Sequence, residues 1–183
     1  MIGLLGGAFD PPHVGHVALA DAAERQLGLE QVVVVVVADP GHKDVHCPAE
    51  TRLDLARVAF PGREVELDRH PRTVDMLRDG RWRDPVFLIG ADEFADFPTW
   101  KDPEGVLELA RLGVASRPGY PRGRLEEVLA GLAHPDRVLF FDLEPVPVSS
   151  SEIRERVVRG DSIDGLVPSA VARAISGRRL YRG

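Results

Sequence analysis

Six consecutive valines, Val32 to Val37, constrain this chain more than any other stretch. A β-branched run without polar alternation suits a strand buried on both faces and suits a helix poorly, because branching at Cβ restricts the side chain against the helical turn. Strands of that kind belong to parallel sheets covered by helices on each side. The rest of the chain repeats the theme. Short apolar runs at Ile2 to Leu5, Gln31 to Val37, Glu64 to Leu67, Val86 to Ile89, Leu112 to Ala115 and Arg137 to Phe141 read as strands. Amphipathic stretches at Gly15 to Leu27, Ala49 to Ala59, Thr73 to Arg78, Glu104 to Ala110 and Arg124 to Ala133 read as helices, with two more at Ser150 to Arg159 and Pro168 to Ile175. The expected fold is α/β, a doubly wound parallel sheet with helices at the C-terminal end. Ligands of such sheets sit beyond the carboxyl ends of the strands, so the loops after strands are where chemistry is expected.

With 183 residues, one domain over 1–183 is expected, and nothing in the chain reads as a repeat or linker. The Pro/Gly-rich piece from Ser116 to Gly123 reads as a surface loop. The longest apolar run, Val32 to Ala38, falls far short of the roughly 18 residues that span a bilayer. No secretory pattern opens the sequence, and the single cysteine, Cys47, cannot form an intramolecular disulfide; a cytoplasmic protein is expected. The formal charge of −6 argues against non-specific binding to nucleic acid or anionic lipid. Against that balance, the segment from Arg154 onward carries seven arginines and three acids, a local surplus of positive charge that would focus an anion.

The first strand runs into Gly6-Gly7-Ala8-Phe9-Asp10-Pro11-Pro12-His13-Val14-Gly15-His16. Glycines let backbone N–H groups approach a phosphate, a helix N-terminus offers unpaired donors, and His13 and His16, three apart, share one face of the first turn. Far along the chain, Ser149, Ser150 and Ser151 stand at a helix start with Arg154 one turn on, a second clamp for phosphate oxygens as well as a good helix cap. Lys43, in the loop after the valine strand, offers a flexible ammonium. Asp92, after a strand and Gly90, offers a carboxylate for ribose hydroxyls. His42, His46 and Cys47, with His13 and His16, hold metal-binding residue types, but no protein-held metal is expected because phosphate chemistry accounts for the first histidine pair.

The opening motif, Gly-Gly-x-Phe-Asp-Pro-x-His-x-Gly-His, resembles the signature of the nucleotidyltransferases related to class I aminoacyl-tRNA synthetases. Together with Asp39-Pro40-Gly41-His42-Lys43, Glu50-Thr51-Arg52-Leu53, Thr73-Val74-Asp75-Met76-Leu77, Phe87-Leu88-Ile89-Gly90-Ala91-Asp92, Phe97-x-x-Trp100-Lys101 and Val148-Ser149-Ser150-Ser151-Glu152-Ile153-Arg154, the order is similar to that of bacterial nicotinate-nucleotide adenylyltransferases. The resemblance implies a Rossmann-like nucleotidyltransferase fold and transfer of AMP from ATP to nicotinate mononucleotide, with Mg²⁺ carried by ATP. It implies that His13, His16, Lys43 and Arg154 act at the phosphates. Gly6, Gly7, Ala8, Phe9, Gly90, Asp92 and the three serines would bind ATP with them. Lys43, Arg72, Thr73, Trp100 and Arg117 would meet the mononucleotide, with Trp100 stacking on the pyridine ring. Arg69-His70-Pro71-Arg72 stands where the family usually has a Ser-Tyr pair, and Arg72 is expected to substitute an ion pair to the nicotinate carboxylate. Nicotinamide mononucleotide, phosphopantetheine or a cytidylyl substrate remain rival acceptors on the same scaffold. A non-catalytic ATP-binding module and a zinc hydrolase built on His13, His16, His42 and Cys47 are rivals from other classes. A homo-oligomer is compatible with the sequence.

Overall fold

The valine run forms the second of six parallel strands, and its residues Val32 to Val36 are at most 2% exposed. The structure is a computed structural model and describes residues 1–41, 44–116 and 122–182. Its elements are β1 (Ile2–Gly7), α1 (Val14–Leu27), β2 (Gln31–Val37), α2 (Ala49–Ala59), β3 (Val65–Asp68), α3 (Thr73–Arg78), β4 (Val86–Gly90), α4 (Ala91–Asp96), α5 (Pro103–Leu109), β5 (Arg111–Ser116), α6 (Arg122–Ala130), β6 (Val138–Asp142), α7 (Ser150–Arg159) and α8 (Ser169–Gly177). The sheet order is β3-β2-β1-β4-β5-β6, with helices on both sides, as the doubly wound reading expects. Register pairs Val36 with Leu67, Leu4 with Phe87, and Val114 with Phe140. The edge strands β3 and β6 are the partly exposed ones, and Phe140 on β6 is 42% exposed.

Most expected elements stand within two residues of their place, and two differ for a reason. Helix α6 stops at Ala130 rather than Ala133: the Gly131 N–H is shared between the Glu127 and Val128 carbonyls and the Leu132 N–H bonds Leu129, three residues back, so the ladder tightens and ends. Helix α4 has no counterpart among the expected helices. Six residues are too few to show a period, yet the Gly90 N–H donates to the Glu93 carboxylate at 3.2 Å and Phe94 is fully buried, so tertiary burial and a local cap make the turn.

Two compact units divide the chain: residues 1–6, 19–33 and 70–145 in one, residues 7–18, 34–69 and 146–183 in the other. In the first, Asp84 sits just before β4 and takes Arg111, at 3.2 Å, and Arg137, so one carboxylate joins the starts of three neighbouring strands. In the second, α8 is tied to α2 by Arg178, which donates to Asp54 at 2.9 Å. Among the described residues, no helix is long and apolar enough to cross a membrane.

Candidate active site

Beyond β1 the chain turns sharply. Phe9 takes a left-handed backbone (φ 51°), is 1% exposed, and lays its ring edge-on against His16 (4.9 Å between centroids) and Phe60 (5.8 Å). Gly7 is tightly packed there: a Cβ would stand 3.0 Å from the Phe9 ring. The rings of His13 and His16 stack at 3.6 Å. The His13 N–H donates to His16 Nδ1 at 3.1 Å, which places the His16 ring proton on Nε2. Nδ1 of His13 is buried with no hydrogen-bond partner, and burial pushes the His13 pKa down to about 4, so the ring is neutral at physiological pH. The glycine of His-x-Gly-His has a steric cause as well. A Cβ on Gly15 would stand 3.0 Å from His13 Nδ1 and 3.4 Å from Val148.

One expectation changes. Much of the first turn of α1 is already bonded: Val14 N–H donates to the Leu166 carbonyl (3.0 Å), and the N–H groups of His16 and Val17 donate to the His13 carbonyl. The positive end of α1 therefore owes less to unpaired backbone donors than the sequence implies.

The closing motif meets the opening one. Arg154 Nη1 donates to the Asp10 carbonyl at 2.7 Å, and the Ser150 hydroxyl donates to the Pro11 carbonyl at 2.8 Å. The three serines make three different contacts. Ser149 caps α7 by accepting the Glu152 N–H (3.1 Å), Ser150 fastens the opening loop, and Ser151 accepts from Arg154 Nη2 (3.1 Å).

Beneath these contacts lie two buried charges. Arg52 is 0% exposed and gives its guanidinium to four carbonyls: Cys47 at 3.0 Å, Ala8 at 2.8 Å, and Val37 and Ala38 at 2.7 Å each. The ends of β2 and the turn after β1 have outrun their ladders, and one planar fork of donors satisfies their carbonyls together. Asp10 is 2% exposed; its Oδ1 accepts the Tyr181 hydroxyl at 2.7 Å and its Oδ2 the His46 N–H at 2.5 Å, with His46 Nδ1 3.8 Å away. Cys47 is buried beside Tyr181, and burial pushes its thiol pKa up. Among the described residues, no group of three His, Cys, Asp or Glu side chains converges as a metal site.

The residues expected at the mononucleotide belong to the other unit, except those the structure does not describe: Lys43 and Arg117, like His42, lie outside the described residues. The partly buried Trp100 indole packs edge-on against Phe97 (5.4 Å) and Phe87 (6.1 Å), and Phe87 in turn crowds Gly6, where a Cβ would stand 3.0 Å from its ring. Thr73 opens α3. Arg72 precedes it, exposed, with Nη1 donating to the Pro71 carbonyl at 2.6 Å. Lys101 holds Asp75 of α3 at 3.0 Å. Asp92 stands exposed in the first turn of α4, two residues after Gly90.

The cytidylyltransferase-like family model matches residues 4–156. A protein of Thermus thermophilus described as a probable nicotinate-nucleotide adenylyltransferase is 40% identical, over 99% of this chain and 99% of its own length. One of Rubrobacter xylanophilus with the same description is 38% identical over 99% of this chain and 92% of its own. The chain belongs to the nicotinate-nucleotide adenylyltransferases of the cytidylyltransferase-like family. The same fold appears in Plasmodium falciparum nicotinic acid mononucleotide adenylyltransferase complexed with NaAD, at a TM-score of 0.79 and 17% identity, covering 98% of this chain and 96% of that one.

In this member of the adenylyltransferase family, the residues that hold the motifs in place carry weaker sequence signals than the ligand-facing groups. Arg52 carried a signal: it shares a helical face with Leu55, Ala56 and Ala59, all buried, and a charge on an apolar face needs buried partners. Asp10 lies inside the opening motif but faces inward. Tyr181, in an arginine-rich tail, gave none.

Proposed function

We propose that this chain transfers the adenylyl group of ATP to the 5′-phosphate of nicotinate mononucleotide, giving nicotinate adenine dinucleotide and pyrophosphate in NAD biosynthesis. The observation that carries the reading is the joining of Arg154 and Ser150 to the carbonyls of Asp10 and Pro11, next to the paired histidines. One phosphate chain meets both motifs there. An oxygen of the acceptor phosphate attacks the α-phosphorus; the new P–O bond forms as the bond to the bridging oxygen of pyrophosphate breaks, and the electron pair leaves with pyrophosphate. The acceptor phosphate is already ionised at neutral pH, so no general base is needed. Positioning and charge neutralisation supply the catalysis.

In this reading His16, through its Nε2–H, and His13 hold the α-phosphate and its neighbours. Arg154, Ser150 and Ser151 hold the departing pyrophosphate, while Ser149 keeps α7 in place. Backbone of Gly6, Gly7, Ala8 and Phe9, with Gly90 and Asp92, holds the nucleotide. Lys43 aligns the acceptor phosphate, Trp100 stacks on the pyridine, and Thr73, Arg72 and Arg117 meet the remainder of the mononucleotide. Mg²⁺ carried by ATP would neutralise charge on the triphosphate, and the Asp10 carboxylate, held by Tyr181 and His46, serves the loop. Residues 1–183 work as one domain in the cytoplasm, without nucleic acid or membrane, and as a monomer or homo-oligomer.

The test is pyrophosphate release with ATP, Mg²⁺ and, in separate reactions, nicotinate mononucleotide, nicotinamide mononucleotide and phosphopantetheine. Nicotinate mononucleotide should be the preferred acceptor, and preference for either of the others would replace the substrate assignment. His16→Ala should lower turnover by about 10² to 10³ with the fold intact. In the same assay, Arg72→Ala should narrow the preference for acid over amide.

A further inference from the structure

We propose that Tyr181 is a positioning residue of the nucleotide site, its hydroxyl holding Asp10 so that the Asp10 carbonyl aims Arg154. The inference rests on the reading of Arg154 as a phosphate-binding group. The chain of contacts is continuous. Tyr181 Oη donates to Asp10 Oδ1 at 2.7 Å, Asp10 Oδ2 is held by the His46 N–H at 2.5 Å, and the Asp10 carbonyl receives Arg154 Nη1 at 2.7 Å. With both carboxylate oxygens fastened, the Asp10 side chain anchors its own backbone, which restricts the peptide that follows. Its carbonyl, and the Pro11 carbonyl that takes Ser150, then face α7 in a fixed direction.

The C-terminal turn is shaped for this contact. After α8 the chain places Arg179 (φ 53°) and Tyr181 (φ 59°) in the left-handed region, which residues with a Cβ adopt only when the surroundings require it. The Leu180 N–H returns to the Ile175 carbonyl at 3.0 Å and sets the turn. A helix end that only had to stop would take glycine at such positions. Here the turn swings an aromatic side chain back to a residue 171 positions earlier in the chain. Burial and the neighbouring Cys47 and Asp10 raise the Tyr181 pKa far above its ordinary value, so the phenol keeps its proton and remains a donor.

The experiment compares wild type, Tyr181→Phe, Arg154→Ala and the double variant by pyrophosphate release, at a temperature where each is folded. Tyr181→Phe keeps the ring and removes only the donor. It should lower kcat on the order of tenfold while leaving the acceptor KM within about twofold. In the Arg154→Ala background the same change should cost less than about twofold, because a residue that acts through Arg154 has nothing left to position. A Tyr181→Phe protein with wild-type kcat would overturn the proposal, as would a full tenfold loss in the double variant.

Should Tyr181→Phe not fold, amide exchange of residues 176–182 in wild type decides, with and without an ATP analogue carrying a methylene bridge between the α and β phosphorus atoms. If anchoring the turn favours nucleotide binding, binding must reciprocally slow exchange in the turn. Unchanged exchange with the analogue bound would overturn the proposal. This arm needs no acceptor, so a wild-type enzyme that released no pyrophosphate with any mononucleotide would remove the proposed substrate and leave Tyr181 still under test.

Discussion

The two compact units handle charge in opposite ways. In the unit that carries the opening loop, Asp10 and Arg52 are buried to within 2% of full enclosure, and each is surrounded by hydrogen-bond partners. In the other, the charges of Asp75, Arg78, Lys101 and Asp102 pair at the surface, and the groups behind Trp100 are the aromatic rings of Phe87 and Phe97. The ligand parts proposed for each explain the contrast. A triphosphate needs donors fixed to a fraction of an ångström, and loops can hold them so only if their own inward-turned carbonyls are satisfied. A pyridine ring needs a flat apolar face, which packed aromatics supply without any buried charge.

Arg52 offers the severest way to break that contrast. Arg52→Met removes the donor to four carbonyls, and urea unfolding should show a loss of about 3 to 5 kcal/mol. Arg52→Lys should recover little, because an ammonium cannot reproduce the planar fork. A loss below about 1 kcal/mol would mean that water satisfies these carbonyls, and the two units would then differ less than their burial implies. Arg52 also marks what could be read from the sequence. The valine run announced β2, and the glycine-histidine and serine-arginine motifs announced the loops, because strand burial and phosphate binding both constrain residue type locally. Arg52, Tyr181 and helix α4 answer to contacts far away in the chain: carbonyls of two strand ends, a carboxylate 171 residues earlier, and the pocket that buries Phe94. No local pattern names those partners; the apolar face around Arg52 tells only that the charge needs some. The serines show a further limit: sequence places all three at a helix start, but not which one caps the helix, which one meets the Pro11 carbonyl and which one meets Arg154.

His13 supplies a pH-dependent test in the same unit. Its folded pKa of about 4 lies below the ordinary 6.5, so between these values the unfolded chain binds a proton that the native state refuses. Its contribution to stability is therefore whole above pH 6.5 and lost as pH falls toward 4, on the order of 3 kcal/mol in total. Urea unfolding at pH 7.5, 5.5 and 4.5 should show wild type losing more than His13→Gln over this range. Parallel losses would place the acid sensitivity elsewhere, in groups other than this imidazole.

Trp100 tests the aromatic side. Trp100→Ala should raise the KM for nicotinate mononucleotide about 10- to 30-fold, equivalent to about 2 kcal/mol of stacking and apolar contact, with Trp100→Phe recovering most of it. The KM for ATP should stay within about twofold in both. A change in the ATP KM with the acceptor KM unmoved would assign the indole to the wrong substrate.

The smallest effect is expected at Lys101. Its ammonium lies 3.0 Å from Asp75, yet Lys101 is 52% exposed, and water competes for both partners. Lys101→Ala should cost less than about 1 kcal/mol in urea unfolding, and less still at 0.5 M salt, because exposed pairs are screened and lose side-chain entropy on forming. The comparison with Arg52 turns on this result. Both residues carry one positive charge and both touch oxygen atoms at about 3 Å, so unequal costs reflect burial together with the four carbonyls that Arg52 alone must satisfy. If Lys101→Ala costs as much as Arg52→Met, surface pairing is structural here too, and the aromatic unit depends on its charges as closely as the loop unit does.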